Sequence, residues 1–150
     1  RSTCDTTDAN AVAVSVPYAY VADGNDGLRV IEVTNPLSPT LRGTCDSHTA
    51  YGIAASGSYA YVADGQSGLR VVDVSDPLLP ATIGTCDTYS ANGVAVSGSY
   101  AYVADGNIGL RVIEVSHPSS PTIRGTCGTT LAYKVAVSGS YAYVADGSYG

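Results

Sequence analysis

Four aspartates, Asp23, Asp64, Asp105 and Asp146, each stand directly before a glycine and recur at an interval of 41 residues. Two chemistries are open to such a pair. The carboxylate can accept backbone N–H groups in an Asx-type turn, beside a glycine that takes positive φ; that structural use is the expected one. Calcium is the other, but it wants about six to eight oxygen ligands. Only the first copy adds a second carboxylate, so Asp23 and Asp26 are weak calcium candidates and no metal site is expected.

Arg29, Arg70 and Arg111 precede Glu32, Asp73 and Glu114 by three residues. In extended chain an odd separation points two side chains to opposite faces. Such an acid and base share no catalytic proton, and the arginine of one unit is expected to meet the acid of the next. Cys4, Cys45, Cys86 and Cys127 keep the 41-residue interval without Cys-x-x-Cys spacing, which excludes the usual zinc and haem-attachment patterns. They are read either as small, semi-buried apolar residues or as candidates for disulfides between molecules. His48 and His117 have no counterparts in the other copies. No catalytic residue and no cofactor site is expected.

The elements that hold these residues follow from the repeat. Ser56-Gly57-Ser58-Tyr59-Ala60-Tyr61-Val62-Ala63-Asp64-Gly65 recurs unchanged at 97–106 and 138–147, and a near copy fills 15–24. A strict period of this length marks one supersecondary unit whose copies bury their apolar faces on one another. In the copy at 51–86, Ile53-Ala54-Ala55-Ser56 is a first apolar run, position A in the unit. After the turn Ser56-Gly57-Ser58 comes a second run (B), Tyr59-Ala60-Tyr61-Val62-Ala63. A glycine-bracketed turn at 64–68 is a hairpin signal. Leu69-Arg70-Val71-Val72-Asp73-Val74 (C) is rich in β-branched residues. The prolines at 77 and 80 end it, because proline has no donor for a ladder. A fourth run (D) spans 81–85 and leads into Cys86.

Both faces of these strands are largely apolar. Tyr59, Tyr61 and Ala63 share one face of B, and Ala60 and Val62 the other, large residues opposite small. A four-stranded sheet of this kind must be covered on both sides by its neighbours. Radial stacking of such sheets is a β-propeller, the expected architecture; a β-helix is the competitor, with shorter coils and no meander of tight hairpins. In a propeller, equivalent cysteines on adjacent blades diverge beyond the ~7 Å Cα limit for a disulfide. No bond among the four is expected within one chain.

Composition bounds the partners. The chain is 45% apolar and only 13% charged, with a formal net charge of −6. No Lys/Arg cluster exists to neutralise phosphates, which argues against nucleic acid and anionic membrane surfaces. No apolar run approaches the ~18 residues of a spanning helix.

The pattern Tyr-Ala-Tyr-Val-Ala-Asp-Gly-x-x-Gly-Leu-Arg-Val-Ile-Glu-Val-Ser-x-Pro-x-x-Pro, as at 100–121, resembles the LVIVD-repeat family of bacterial and archaeal proteins, over essentially the whole chain. The resemblance implies a propeller fold and a cell-surface or secreted setting, and carries over no activity. The array reads as a D strand at 1–5, repeats at about 10–45, 51–86 and 92–127, and a partial repeat at 133–150. That makes fifteen strands, about three and two-thirds blades, and an incomplete ring. The expectation is a piece of a longer array or, second, a subunit that closes with other chains. In the second case Val12, Val14, Tyr18 and Tyr20 at one end, and Val135, Val137, Tyr141 and Tyr143 at the other, are expected to form the contact.

Variation between copies gathers in the loops. In a meander the D–A and B–C connections open on one side, making it the candidate recognition face: Asn10, His48, Tyr51, Asp64, Tyr89, Asn92, Asp105 and Tyr133. A non-catalytic structural or protein-interaction module of the cell surface is the favoured function, with self-assembly into filaments as its expected extension. A glycan-binding, lectin-like propeller is the alternative. The expected partners are further copies, the rest of a longer chain, a surface protein or a glycan; an enzyme is not expected.

Overall fold

The computed structural model describes residues 3–147. Fourteen short strands and no helix make up the described residues. The first sheet holds β1 (Ala11–Ser15), β2 (Tyr18–Ala22), β3 (Leu28–Glu32) and β4 (Thr40–Cys45). The second holds β5 (Gly52–Ser56), β6 (Tyr59–Ala63), β7 (Leu69–Asp73) and β8 (Ala81–Cys86). The third holds β9 (Ala91–Ser97), β10 (Tyr100–Asp105), β11 (Leu110–Glu114) and β12 (Thr122–Cys127). A two-stranded sheet, β13 (Ala132–Ser138) with β14 (Tyr141–Asp146), ends the array. Every pairing is antiparallel between sequence neighbours, as a meander requires.

The expected D strand at the start is absent over residues 3–5; Arg1 and Ser2 lie outside the described residues. In the complete sheets a D strand pairs with the C strand before it, as β4 does with β3. Among the described residues, 3–5 pair with no strand, and a segment without a ladder partner stays irregular.

Sheets stack face on face, in chain order. Tyr20, Ala22, Leu28 and Val30 of the first sheet bury themselves against Ala60, Val62, Val72 and Val74 of the second. Tyr61, Ala63, Leu69 and Val71 of the second repeat that contact on Ala101, Val103, Ile113 and Val115 of the third. Large side chains from one face fill the space over small ones, so interdigitation comes from the Tyr-Ala-Tyr-Val-Ala alternation itself. Tyr18 and Tyr20 therefore face the second sheet and are not free at the chain's end, which corrects the expected end contact. Val135 and Val137 are likewise half-buried, on the side of β9 and β10. What the first sheet leaves open is Val12 and Val14, each 62% exposed; the last sheet leaves Tyr141 and Tyr143, at 70% and 59%.

Adjacent sheets are also joined through the backbone. Ala50 N–H donates to Gly24 O at 2.9 Å, and Gly65 and Ala91 exchange two such bonds at 2.8 and 3.0 Å. Each D strand carries a bulge, opposite Val30/Ile31, Val71/Val72 and Val112/Ile113. The bulged positions are Arg42, Ile83 and Arg124.

Candidate recognition face

The aspartates that head the B–C turns are the anchor of this face. Asp23, Asp64 and Asp105 are fully buried. Their carboxylates do not close their own turn; they reach back across 15 or 16 residues to the D–A loop. Asp23 accepts the N–H groups of Thr7 at 3.0 Å and Asp8 at 2.6 Å. Asp64 accepts from Thr49 at 2.6 Å, Asp105 from Ser90 at 2.5 Å, and Asp146 from Leu131 at 2.6 Å. The turn itself is closed by backbone alone: Asp64 N–H donates to Gly68 O, and Ser67 N–H to Asp64 O, both at 2.9 Å.

Each buried carboxylate has its own arginine. Arg29 Nε donates to Asp23, and Arg111 Nε lies 2.5 Å from Asp105. Arg70 Nε stands 2.5 Å from Asp64 Oδ2, an ion pair whose angle is not that of a hydrogen bond. The expected pairing of these arginines with the acids of the next unit is thus overturned. Val21 is opposite Arg29 in the hairpin register, so the guanidinium extends along the same face to Asp23 at the strand's head. The space between sheets is filled with Tyr, Leu and Val and has no room for charge. Glu32 and Glu114 are satisfied in their own sheets by the bulged Arg42 and Arg124, with Nε–O distances of 2.7 and 2.6 Å. A bulge re-aims the side chain it displaces; Ile83 fills that position in the second sheet, and Asp73 there accepts Ser75 N–H at 2.9 Å.

Burial pushes the Asp23 carboxyl up, but the Asp8 and Thr7 N–H groups and the Arg29 guanidinium outweigh it and hold the group below the usual carboxylate range. Asp26 is lowered by the Thr7 hydroxyl and by Arg29, whose Nη2 lies 2.9 Å away. The two weak calcium candidates are therefore brought together, with Arg29 between them where a cation would sit. Asp64 and Asp105 are fully buried and ion-paired, so they hold the loops of this face, and Asp64 also lines the hollow beside His48.

The remaining candidates do lie on this face. Asn10, Tyr51, Asn92 and Tyr133 occupy equivalent positions at the start of the innermost strands. With Ser90 and Lys134 they line one cavity of about 370 Å³. Asn10 Nδ2 donates to Ala50 O at 3.1 Å and Asn92 Nδ2 to Ala132 O at 3.0 Å, so both amides tie one sheet to the next. Tyr51 lies against Gly65 and Tyr133 against Gly147; a Cβ on those glycines would stand 3.3 and 2.3 Å from the ring carbons. His48 lines a second hollow of about 500 Å³ beside Tyr51, its Nδ1 3.4 Å from Arg70 Nη2. Tyr89 is 60% exposed and outside both. Ser148 and Tyr149, in the last B–C turn, lie outside the described residues.

Lys134 was not foreseen. Its signal is its singularity: it is the one lysine of the chain, at a position that is Ala11, Gly52 and Gly93 in the other copies. The inner strands approach so closely that a Cβ on Gly52 would come within 2.9 Å of Gly93, and one on Gly93 within 2.9 Å of Tyr133 O.

The four cysteines are unpaired, with Cys86 buried and Cys127 exposed. Burial, with Asp87 beside it, pushes the Cys86 thiol up. His117 is exposed, its Nδ1 3.3 Å from Ser116 Oγ. Ser116 Oγ in turn donates to Glu114 at 3.0 Å, so the acid orients the hydroxyl and not the imidazole.

The LVIVD repeat family matches the chain four times, over residues 7–47, 49–88, 90–129 and 131–150. No curated protein matches it. Among solved structures, the computationally designed Ika4 protein superposes with a TM-score of 0.77 at 10% identity, over 98% of this chain and 90% of that one. Sqt1 of Saccharomyces cerevisiae gives 0.68 at 9% identity, over 83% of this chain and 36% of its own. Glutaminyl cyclase of Myxococcus xanthus gives 0.62 at 15% identity, over 92% and 61%. Likeness at such identities establishes the shared fold, a propeller-like array of antiparallel sheets.

Proposed function

The chain belongs to the LVIVD-repeat family, and from that premise we propose that it is a non-catalytic structural and protein-interaction module of the cell exterior that stacks on further copies of itself. One observation carries the reading. The exposed residues of the last sheet, Tyr141 and Tyr143, are the equivalents of Tyr59 and Tyr61, which fill the second-to-third contact. Those of the first sheet, Val12 and Val14, are the equivalents of Val94 and Val96 on its receiving side. The two end faces thus carry residues equivalent to those on the two sides of the contact that recurs at each junction between sheets. Such faces receive further repeats of a longer array or, joined between chains, form a head-to-tail interface, which builds filaments or rings.

Catalysis is left out of the proposal because the aspartates and arginines repeated at 23/29, 64/70 and 105/111 are held in ion pairs. The exterior setting is taken from the family resemblance alone; in an oxidising environment the exposed Cys127 thiol would be able to bridge neighbouring molecules.

Light scattering on the 15.2 kDa chain is expected to show assemblies larger than the monomer. Val14→Lys and Tyr143→Lys alter only exposed side chains, one on each end face, and each is expected to yield folded monomers. Mixed together, the two variants retain one intact half each and should form dimers and nothing larger. A monomeric wild-type chain, or variants that assemble as before, overturns the reading.

A further inference from the structure

Of the residues that line the cavity at the start of the innermost strands, Lys134 also borders the end face, beside Tyr143. The cavity walls combine two tyrosine rings, two amides, a hydroxyl and one ammonium group. We infer that it binds an acidic saccharide residue, a pyranose ring bearing a carboxylate.

Tyr51 and Tyr133 remain 40% and 47% exposed although one edge of each ring rests on a glycine. Rings held in this way are rigid apolar platforms at little further entropy cost, suited to the C–H face of a pyranose. Asn10 and Asn92 have their amide nitrogens engaged by Ala50 O and Ala132 O, which leaves Asn10 Oδ1, and the second lone pair of Asn92 Oδ1 beside the Ser90 hydroxyl, to accept from a hydroxyl. Ser90 Oγ, 3.4 Å from Asn92 Oδ1, adds a group that both donates and accepts. A volume of about 370 Å³ suits a single sugar ring with its substituents.

Lys134 sets the charge. Arg29, Arg42, Arg70, Arg111 and Arg124 each face a carboxylate. Among the described residues Lys134 alone of the cations has no acidic partner. On a chain of net charge −6 an anion is repelled from most of the surface. One unpaired ammonium at the rim of an aromatic and amide-lined cavity therefore selects where a carboxylate can settle.

Ligand-observed NMR or calorimetry with methyl β-D-glucuronide, methyl β-D-glucoside and acetate tests the assignment, on the chain and in parallel on the Val14→Lys variant. The parallel titration separates binding from assembly. The glucuronide is expected to bind about tenfold more tightly than the neutral glucoside, the worth of one charge-assisted hydrogen bond. Lys134→Gln should abolish that preference, Tyr51→Ala should weaken both sugars, and Tyr89→Ala should change neither. Acetate binding as tightly as the glucuronide, a preference that survives Lys134→Gln, or no saturable binding of the glucuronide by the folded chain would each overturn it.

Discussion

Asp105 is one residue on which three separate segments depend. Its carboxylate receives the Ser90 N–H from the D–A loop and the Arg111 guanidinium from β11, and it does so without contact with water. Removing it orphans both partners. Asp105→Ala is expected to lower unfolding free energy by about 3 kcal/mol, the low end for breaking a buried pair, because Arg111 keeps 21% exposure and recovers some hydration. Urea denaturation measures it; a loss below about 1 kcal/mol would show that the latch is ornamental. The position of these aspartates was plain from their spacing, whereas their partners were not. A carboxylate beside glycine signals a local turn, and nothing in the linear order tells it to prefer N–H groups 15 residues upstream.

At the scale of elements, the hairpin between β6 and β7 shows why the glycine bracket never varies. Gly68 holds φ at 79°, and a Cβ there would stand 2.2 Å from Cys86 O on the outer strand. Gly68→Ala therefore meets both a forbidden backbone angle and a carbonyl that belongs to a paired strand. A cost of roughly 2–3 kcal/mol is expected, read from the urea midpoint. Gly57→Ala is the comparison: φ is 58° with open space around it, so only the angle is penalised and the loss should be smaller. The B and C strands were legible nearly to the residue, since Tyr59–Ala63 and the run at 69–74 carry apolar side chains on both faces and stop before the Asp64-Gly65 and Asp76-Pro77 turns. The bulge on each D strand was not legible. It shows in the sequence only as Arg42, Ile83 or Arg124 beside a glycine, and its sense depends on whether Glu32 or Glu114 waits across the strand.

The whole molecule responds to acid through many groups at once. Asp23, Asp26, Glu32, Asp73, Glu114 and Asp146 all have carboxyls held below their ordinary values. In each case the unfolded chain binds protons more readily than the folded one below about pH 5. The stabilisation is complete above the unfolded carboxylate range near pH 4 and is lost as pH falls through the folded values. The urea midpoint should be level from pH 7 to 5 and lower at pH 3. Half-molar salt should shrink the fall, because most of these pairs are open to solvent. A midpoint that rises at pH 3 would contradict the ion-pair assignments. The stacking of sheets was legible from the two-faced strands, but which tyrosines an end leaves bare was not. Tyr18 and Tyr141 are equivalent in sequence, and only the direction of stacking makes one buried and the other exposed.

The inner cavity and the bulged strand share a parity. Asn10 and Asn92 stand in the sheets that carry Arg42 and Arg124; Tyr51 stands in the sheet that carries Ile83, and Tyr133 follows it 82 residues later. The backbone counts in single blades, while the surface counts in pairs. A partner that reads these two positions meets matching residues on every second blade, twice as far apart as the fold alone would place them. A seam that sets the fourth sheet, of the tyrosine kind, against a first sheet of the asparagine kind keeps that rhythm unbroken from one molecule into the next.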